Sequence, residues 1–153
     1  MYNAWIKYMT NSISKGIIIV IDYGYYAREY YLDDRNTGTL VCMYNHTPNF
    51  NPLTNIGNQD ISSFVNFSHI SNISSEYNLK TVGYLSQASL LLNLGILDIY
   101  NKKKINNNSS ELNNMKNILL PNTMGELFKA LILSKNINQD LLSTKEFNQL
   151  EKL

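Results

Sequence analysis

The residues best placed for chemistry come directly after an apolar segment. Asp22, Tyr23 and Gly24 follow the run GIIIVI (residues 16–21), where a buried strand would lead into a loop. Ligands of open α/β sheets bind beyond the carboxyl ends of the strands, so this position suggests a ligand contact. A structural role is equally open, in which Asp22 caps the following turn and Gly24 supplies a positive φ angle.

His46 is a second candidate, because an imidazole titrates near neutral pH and could act as a base or bind a ligand. It lies in a polar segment with no carboxylate or nucleophile at a recognisable spacing. That context favours a loop histidine bonded to the backbone, and it favours a structural role even more strongly for His69.

The segment after the first apolar run is rich in aromatic and cationic side chains. Arg28 and Arg35 could bind a carboxylate, although ion pairs with nearby acidic residues are the simpler expectation. Those acidic residues are Glu29, Asp33, Asp34 and Asp60. Five tyrosines could line a substrate groove or pack as a lid on their own domain: Tyr23, Tyr25, Tyr26, Tyr30 and Tyr31.

Several catalytic motifs are missing from the sequence. No GxGxG or GxxxxGK loop follows an apolar segment, so the residues offer no evident cradle for a nucleotide cofactor. There is also no GxSxG turn, no HExxH helix and no Cys/His pair arranged as nucleophile and base. We therefore do not expect an autonomous hydrolase, and any cofactor must be held elsewhere.

Composition narrows the function classes further. The 153 residues include 13 Lys plus Arg and 12 Asp plus Glu, a balance that does not favour nucleic-acid binding. Two histidines and the single Cys42 cannot form a Cys/His zinc site or an internal disulfide. No apolar run is long enough to cross a membrane, and no export signal is evident. We expect one cytoplasmic domain that binds neither metal nor membrane.

Hydrophobic periodicity predicts an α/β fold. Three segments read as strands, the first and third buried on both faces: residues 16–24, 79–85 and 126–136. Five further segments are predicted as helices. The first is residues 2–14, with an apolar stripe at Trp5, Ile6, Met9 and Ile13. The second is capped by Asp60 or Asn66 and ends near Tyr77, and the third, residues 87–100, is capped by Ser86. The last two are residues 111–120 and Ser143 to Leu153. Residues 25–57 form a turn-rich excursion with one strand at 39–44, and residues 102–110 form a surface loop.

Nine short motifs occur in a characteristic order: IDYG (21–24), REYY (28–31), R with GTL (35, 38–40), H (46), G with QDI (57, 59–61), V-x-F (65–67), GYLSQ (83–87), LLLNLGI (90–96) and MGELFKALILS (124–134). In this order they resemble the C-terminal part of the MidA-like family of class I methyltransferases, which use S-adenosyl-L-methionine (SAM). That family includes the mitochondrial protein arginine methyltransferase that assists assembly of respiratory complex I.

The resemblance implies the C-terminal portion of a Rossmann-like class I methyltransferase fold. Strands five, six and seven would be residues 17–22, 79–85 and 127–134, with the seventh antiparallel between the other two. The half of the sheet that binds the cofactor would be lacking, which leaves one edge of strand five uncovered. Residues 1–136 would belong to the methyltransferase domain, with 25–65 as an inserted substrate-side region and 137–153 as an appended helix or tail.

The resemblance also implies site residues and partners. The substrate-side candidates are Asp22, Tyr23, Gly24, Arg28, His46, Gln59 and Asp60, with no cofactor-binding residue in this chain. Three family positions have lost a charge and hold Thr47, Asn51 and Asn66, which could loosen the substrate-side loop.

Two functions remain open at this point. One is a portion of a SAM-dependent methyltransferase that acts on a protein arginine, as in respiratory complex I assembly, and is inactive until a separate N-terminal half or self-association completes it. The other is a non-catalytic remnant or protein-binding module derived from such an enzyme.

Overall fold

The computed structural model describes residues 2–102, 109–121 and 124–153. The helices are α1 (Tyr2–Ser12), α2 (Ala27–Tyr30), α3 (Phe67–Glu76), α4 (Gln87–Asn93), α5 (Ile96–Lys102), α6 (Ser109–Leu119) and α7 (Met124–Leu127). The strands are β1 (Gly16–Tyr25), β2 (Leu40–Tyr44), β3 (Thr47–Asn49), β4 (Asp60–Ser63), β5 (Val65–Asn66), β6 (Lys80–Ser86) and β7 (Phe128–Lys135). Single 3-10 turns lie at Asp33–Arg35, Leu142–Thr144 and Leu150–Lys152.

The main sheet contains four strands in the order β5-β1-β7-β6. β7 is antiparallel to both neighbours, with Ile18 opposite Leu133 and Tyr84 opposite Leu131. Its residues 130–134 are all buried, as expected of a central strand covered on both faces. The prediction of an α/β fold with three adjacent strands, the last in the middle, is confirmed.

One face of this sheet carries the larger apolar core. α3 places Phe67, Ile70 and Ile73 on it at helical spacing. Ile6 of α1 is completely buried in the same core, whereas Trp5, which we assigned to the buried stripe, is 37% exposed. The helix is therefore correctly predicted, but its buried face is centred one residue further along the chain.

The opposite face is covered over β6 and β7 but not over β1. α4 packs Leu90 against Ile132 there. On the same face of β1, the exposed fractions are 42%, 47% and 45% at Ile17, Ile19 and Ile21. Neither apolar cluster of the described residues includes these three side chains. The prediction that β1 is buried on both faces is wrong, because burial depends on a covering layer that the strand's own residues do not specify.

The excursion between β1 and β5 contains a second, three-stranded sheet in the order β3-β2-β4. β2 and β3 are joined by Asn45 and His46, whose φ angles of 47° and 61° match the left-handed turn of a tight hairpin. We predicted only one strand here, since β3 and β4 are short, polar and exposed and carry no alternating apolar pattern.

The predicted helices that follow are mostly confirmed. Asn66, rather than Asp60, caps α3, and Ser86 caps α4 as expected. The segment 87–100 divides at Gly95, whose φ of 77° ends one helix before α5 begins. The predicted loop at 102–110 lies outside the described residues from 103 to 108, while its ends belong to α5 and α6.

The C-terminal segment does not form the predicted helix. It makes two 3-10 turns and lies along β6, the outer strand of the main sheet. The Asn148 side chain accepts a hydrogen bond from the Tyr84 N–H (3.0 Å) and donates one to the Val82 carbonyl (3.1 Å). The Gln149 N–H then donates to the Tyr84 carbonyl at 2.7 Å. These bonds satisfy the backbone groups on the outer edge of β6. In a helix, the Gln149 N–H would bond within the helix and would no longer be available to β6.

Candidate functional site

The predicted candidates Asp22, Tyr23 and Gly24 lie at the carboxyl end of β1. Gly24 is buried, and a Cβ atom there would collide with the Val65 carbonyl oxygen and lie 2.7 Å from Phe67 Cε2. Glycine is needed because β5 approaches β1 so closely. The positive φ suggested for Gly24 is not observed, since the glycines with positive φ are at positions 38, 57 and 95.

The Asp22 carboxylate remains at the surface. Its Oδ1 accepts a hydrogen bond from the N–H of the adjacent Tyr23 at 2.7 Å. The first turn of α2 is bound by another residue, Ser68, whose Oγ accepts a hydrogen bond from the Ala27 N–H at 2.8 Å. Ser68 therefore takes the capping role that we considered for Asp22.

Tyr2 of α1 lies near the same end of the strand. Burial raises the pKa of the Tyr2 hydroxyl, and the neighbouring Tyr30 and Asp22 raise it further. Its ring also contacts His69 edge to face, with centroids 5.7 Å apart. The phenol is therefore protonated at neutral pH, as an unperturbed tyrosine also is. Sequence reasoning missed Tyr2, since only the packing of α1 brings it here.

An aromatic ladder occupies the other face of β1. It consists of Phe128, Tyr23, Phe64 and Tyr25, with successive ring centroids 4.0, 6.4 and 5.3 Å apart. The Arg35 guanidinium closes the ladder, with Cζ 3.6 Å from the centroid of the Tyr25 ring. Tyr23 is still 39% exposed, so the ladder offers an open aromatic surface at the strand end.

The arginines do not form the ion pairs that we expected. Within the described ranges neither Arg28 nor Arg35 lies within 4.0 Å of a carboxylate oxygen, and Arg28 is exposed. An open groove of about 390 Å³ lies beside α2. Its lining includes Tyr30, Tyr31, Asp33, Arg35, Gly38 and Thr39. The predicted tyrosine cluster is therefore divided: Tyr23 and Tyr25 belong to the ladder, Tyr30 and Tyr31 line the groove, and Tyr26 packs against the larger core.

The remaining candidates lie in the small sheet and its loops. His46 is exposed in the β2–β3 turn, and Asp60 is exposed at the start of β4. Gln59 binds its own loop: its side chain accepts from Asn49 Nδ2 at 3.0 Å and donates to two loop carbonyls, the nearer at 3.0 Å. Across the residues described, no hydrogen bond, ion pair or ring contact joins any of them to Asp22.

In the part of the chain that the structure covers, no three His, Cys, Asp or Glu side chains come together as metal ligands. No helix in those ranges combines the length and apolar character needed to cross a bilayer.

Comparison with known proteins identifies the family. Residues 1–85 match the family described as "Putative S-adenosyl-L-methionine-dependent methyltransferase". The chain belongs to this methyltransferase family. Two crystal structures from Burkholderia thailandensis are similar to it: "a COG1565 superfamily member and likely methyl transferase" bound to S-adenosyl-homocysteine, and an "uncharacterized ACR, COG1565 superfamily protein".

Each solved structure is 31% identical to the chain, and each match covers 99% of the chain's own length with a TM-score of 0.89. The chain covers 40% and 41% of the two solved proteins, so it spans about two fifths of their length. No protein of curated function matches it. The prediction of a SAM-dependent methyltransferase family with an α/β fold is thus confirmed, while its MidA-like type stays a prediction.

The lost charges of this family member are explained by local structure. Asn66 Oδ1 accepts from the His69 N–H at 3.0 Å and caps α3, a role that Asn and Asp fill equally well. Asn51 Oδ1 accepts from the Leu53 N–H at 3.0 Å in a turn that either residue can form. Thr47 pairs with Tyr44 in the exposed hairpin. At positions 51 and 66 the observed hydrogen bonds are ones that either Asn or Asp can make, and the loosening of the loop stays a prediction.

A nucleoside cofactor such as SAM requires a binding site on the protein backbone. Such cofactors are held by free backbone amides where a strand leads into a helix. Here the three junctions are already capped: Ser68 binds the first turn of α2, Asn66 that of α3 and Ser86 that of α4. Each of these bonds occupies one first-turn amide of its helix.

The GYLSQ motif of this methyltransferase has a structural role at Tyr84. The side chain is 1% exposed, and its ring packs on Phe67 with centroids 5.5 Å apart. Burial, aided by the negative charge of Glu29, moves the pKa of the hydroxyl far above its usual value. The Tyr26 backbone opposes this shift, but it lies outside hydrogen-bonding geometry, and the hydroxyl has no partner among the described residues. Tyr84 therefore stays protonated and out of reach of a substrate.

Proposed function

We propose that the chain forms the acceptor side of a SAM-dependent methyltransferase of the MidA-like type, which methylates a protein arginine. The observation that carries this proposal is the match of 99% of the chain, at 31% identity, to a protein bound to S-adenosyl-homocysteine. The resemblance to the complex I assembly methyltransferase makes an arginine of a complex I subunit the proposed acceptor.

The acceptor site is the carboxyl end of β1. The Asp22 carboxylate lies on one face of the strand, and the exposed Tyr23 ring lies on the other. Asp22 would pair with the acceptor guanidinium and favour its positive charge. The Tyr23 ring lies on the opposite face of β1 and so would not stack on the same group.

The cofactor would be held by another part of the methyltransferase fold. In support of this division, no glycine-rich loop follows a strand in the sequence, and Ser68, Asn66 and Ser86 each bind one first-turn amide where a strand leads into a helix. SAM supplies the methyl group when it is bound there. We therefore propose that residues 1–153 alone are inactive and that a cofactor-holding portion completes the enzyme, either within the same polypeptide or as a separate one.

A methylation assay tests the proposal. The protein is purified from its own organism with its associated polypeptides and incubated with radiolabelled SAM and complex I subunits. Methylarginine is then located by mass spectrometry. Asp22→Asn removes the charge that holds the guanidinium, so we expect kcat/KM to fall roughly 100-fold, as for loss of one preorganised electrostatic group. The matched control is Asp34→Asn, another exposed carboxylate, which should change kcat/KM less than about twofold.

Two results would contradict the proposal. Equal activity of the Asp22→Asn and Asp34→Asn variants would move the acceptor site away from β1. No methyl transfer by the wild-type preparation would favour the non-catalytic alternative, a binding module derived from the enzyme.

A further inference from the structure

Arg35 has no anionic partner among the described residues. Asp33 and Asp34 precede it in the same 3-10 turn, yet no carboxylate oxygen of the described ranges comes within 4.0 Å of its guanidinium. The guanidinium lies instead over the Tyr25 ring, with Cζ 3.6 Å from the centroid. A guanidinium stacked on an aromatic ring still presents the N–H groups along its edge. Arg35 is therefore able to bind a carboxylate through two parallel hydrogen bonds.

The backbone and the side chain of Arg35 are both held in place. Its N–H donates to the Leu32 carbonyl at 2.9 Å, and its own carbonyl accepts from the Gly38 N–H at 2.9 Å. Gly38 has a φ of 81°, a conformation that favours glycine. The Tyr25 ring under the guanidinium contacts Phe64 edge to face at 5.3 Å. A side chain fixed in this way loses little conformational entropy when a ligand binds, so the site is preorganised.

The groove beside α2 gives a ligand access to this guanidinium. Its volume of about 390 Å³ lies within the usual range of binding pockets. Tyr30 and Tyr31 form an aromatic wall with ring centroids 5.1 Å apart, on which the methylene groups of a side chain can pack. Asp33 also lines the groove, but it is exposed, so water and salt screen its charge more than that of the partly buried Arg35. The groove therefore favours a carboxylate carried on a short apolar stem.

The groove lies next to the candidate acceptor site. Tyr30 of α2 forms part of its wall, and both Tyr30 and Asp22 lie close enough to the Tyr2 hydroxyl to raise its pKa. On the other face of β1, the contacts of the aromatic ladder connect Arg35 to Tyr23 over roughly 15 Å at most, which an extended peptide crosses in about five residues. A protein substrate whose arginine pairs with Asp22 can therefore reach the groove with a residue that is close to that arginine in sequence.

We propose that the groove is a recognition subsite for an acidic side chain of the protein substrate, which the Arg35 guanidinium binds close in sequence to the acceptor arginine. This inference rests on the function proposed above and names a specificity determinant of that site. Arg35 takes no part in the methyl transfer itself, so it acts on substrate binding and not on the chemical step.

A peptide-binding scan tests the subsite in the assembly purified from the source organism. Each fluorescent peptide carries one central arginine and a single glutamate, which is moved one position at a time, and has a counterpart with glutamine in place of the glutamate. At one or two adjacent positions we expect the dissociation constant, measured by fluorescence anisotropy, to be about tenfold lower for glutamate than for glutamine, as for one hydrogen-bonded charge pair. Glutamate at the other positions should give no such difference.

Substitutions of Arg35 then assign the preference to this side chain. Arg35→Gln should abolish it, whereas Arg35→Lys keeps the charge without the planar edge and should keep only part of it. Arg35→Glu should reverse it, so that lysine at the same peptide position binds better than glutamine. Lys145, an exposed cation of the C-terminal tail, is changed to Gln as the matched control and should leave the full preference. Circular dichroism would verify that all variants remain folded.

Three outcomes overturn the inference: equal binding of the glutamate and glutamine peptides at every position, an unchanged preference in Arg35→Gln, or no gain for the lysine peptide in Arg35→Glu. Methyl transfer to complex I subunits is measured in the same preparations. Transfer without a glutamate preference would reject the subsite and leave the proposed function intact. A preference that depends on Arg35, without transfer, would reject the proposed function and leave the subsite.

Discussion

The outer edge of β6 and the free edge of β1 belong to one sheet, but the C-terminal tail hydrogen-bonds to the first and the second is mostly unpaired. At β6, Asn148 and Gln149 bind the backbone of Val82 and Tyr84, so the tail takes the place of a further strand. On the free edge of β1, opposite the edge that pairs with β7, only Gly24 and Tyr25 are paired within the residues described. The same contrast holds for the faces, since Ile132 of β7 is fully buried and its cross-strand neighbour Ile19 is 47% exposed.

This difference separates an edge whose backbone groups the described residues satisfy from one that they leave mostly unpaired. The β6 edge is satisfied by residues only about 60 positions further along the same chain. The β1 edge is a strong candidate for association, because unpaired amides and apolar side chains occur together there. The molecule thus has one closed edge and one open edge, and the candidate acceptor site lies at the end of the open one.

The largest expected effect on stability is at the carboxyl end of β1, where β5 pairs with it. Gly24→Ala would push a methyl group into the Val65 carbonyl and separate β5 from β1. We expect the free energy of unfolding, measured by urea denaturation, to fall by about 3 kcal/mol. Gly16→Ala, at the other end of β1, is the control, since its nearest contact is 3.9 Å away. Similar losses in both variants would show that the contact with β5 is unimportant.

A smaller loss is expected at the closed edge. Asn148→Ala leaves the Tyr84 N–H and the Val82 carbonyl without partners, which should reduce the free energy of unfolding by about 2 kcal/mol. The Tyr84 amide should also exchange faster with deuterium. Asn138→Ala, at an exposed position of the same tail, should have little effect. An unchanged exchange rate at Tyr84 would mean that the tail does not protect β6.

The smallest effect has the opposite sign. Phe147 is 61% exposed and has a φ of 55°, a left-handed conformation that costs a side chain about 1–2 kcal/mol. Phe147→Gly should relieve this strain and raise the melting temperature, with a net gain of about 0.5 kcal/mol after the added chain entropy. Phe50→Gly, exposed and without a positive φ, should lower it. A lower melting temperature in both variants would argue against strain in the tail.

Much of the fold could be predicted because local patterns dominate it. The apolar runs at β1, β6 and β7 and the caps at Asn66 and Ser86 are local signals, and all of them were predicted. The tail could not be predicted, since the bond from Asn148 to Tyr84 joins residues far apart in sequence. The exposure of β1 was missed for a related reason, because a strand's composition does not reveal whether a second layer covers it.

The site was predicted only in part. The position of Asp22 and Tyr23 at a strand end follows from the sequence, and so does the need for a glycine at position 24, although for a different reason than expected. Phe64, Phe128 and Tyr2 reach the same region from other segments, so no local motif indicated them. His46, Gln59 and Asp60 share motif order with the family, but the described contacts place them in the small sheet and its loop.

Titration calorimetry with S-adenosyl-homocysteine tests most directly the proposal that the cofactor is held outside residues 1–153. Residues 1–153 alone should give no binding heat, whereas the assembly purified from the source organism should bind the nucleoside stoichiometrically. Stoichiometric binding by residues 1–153 alone would contradict the account, because it would place the cofactor pocket within this chain.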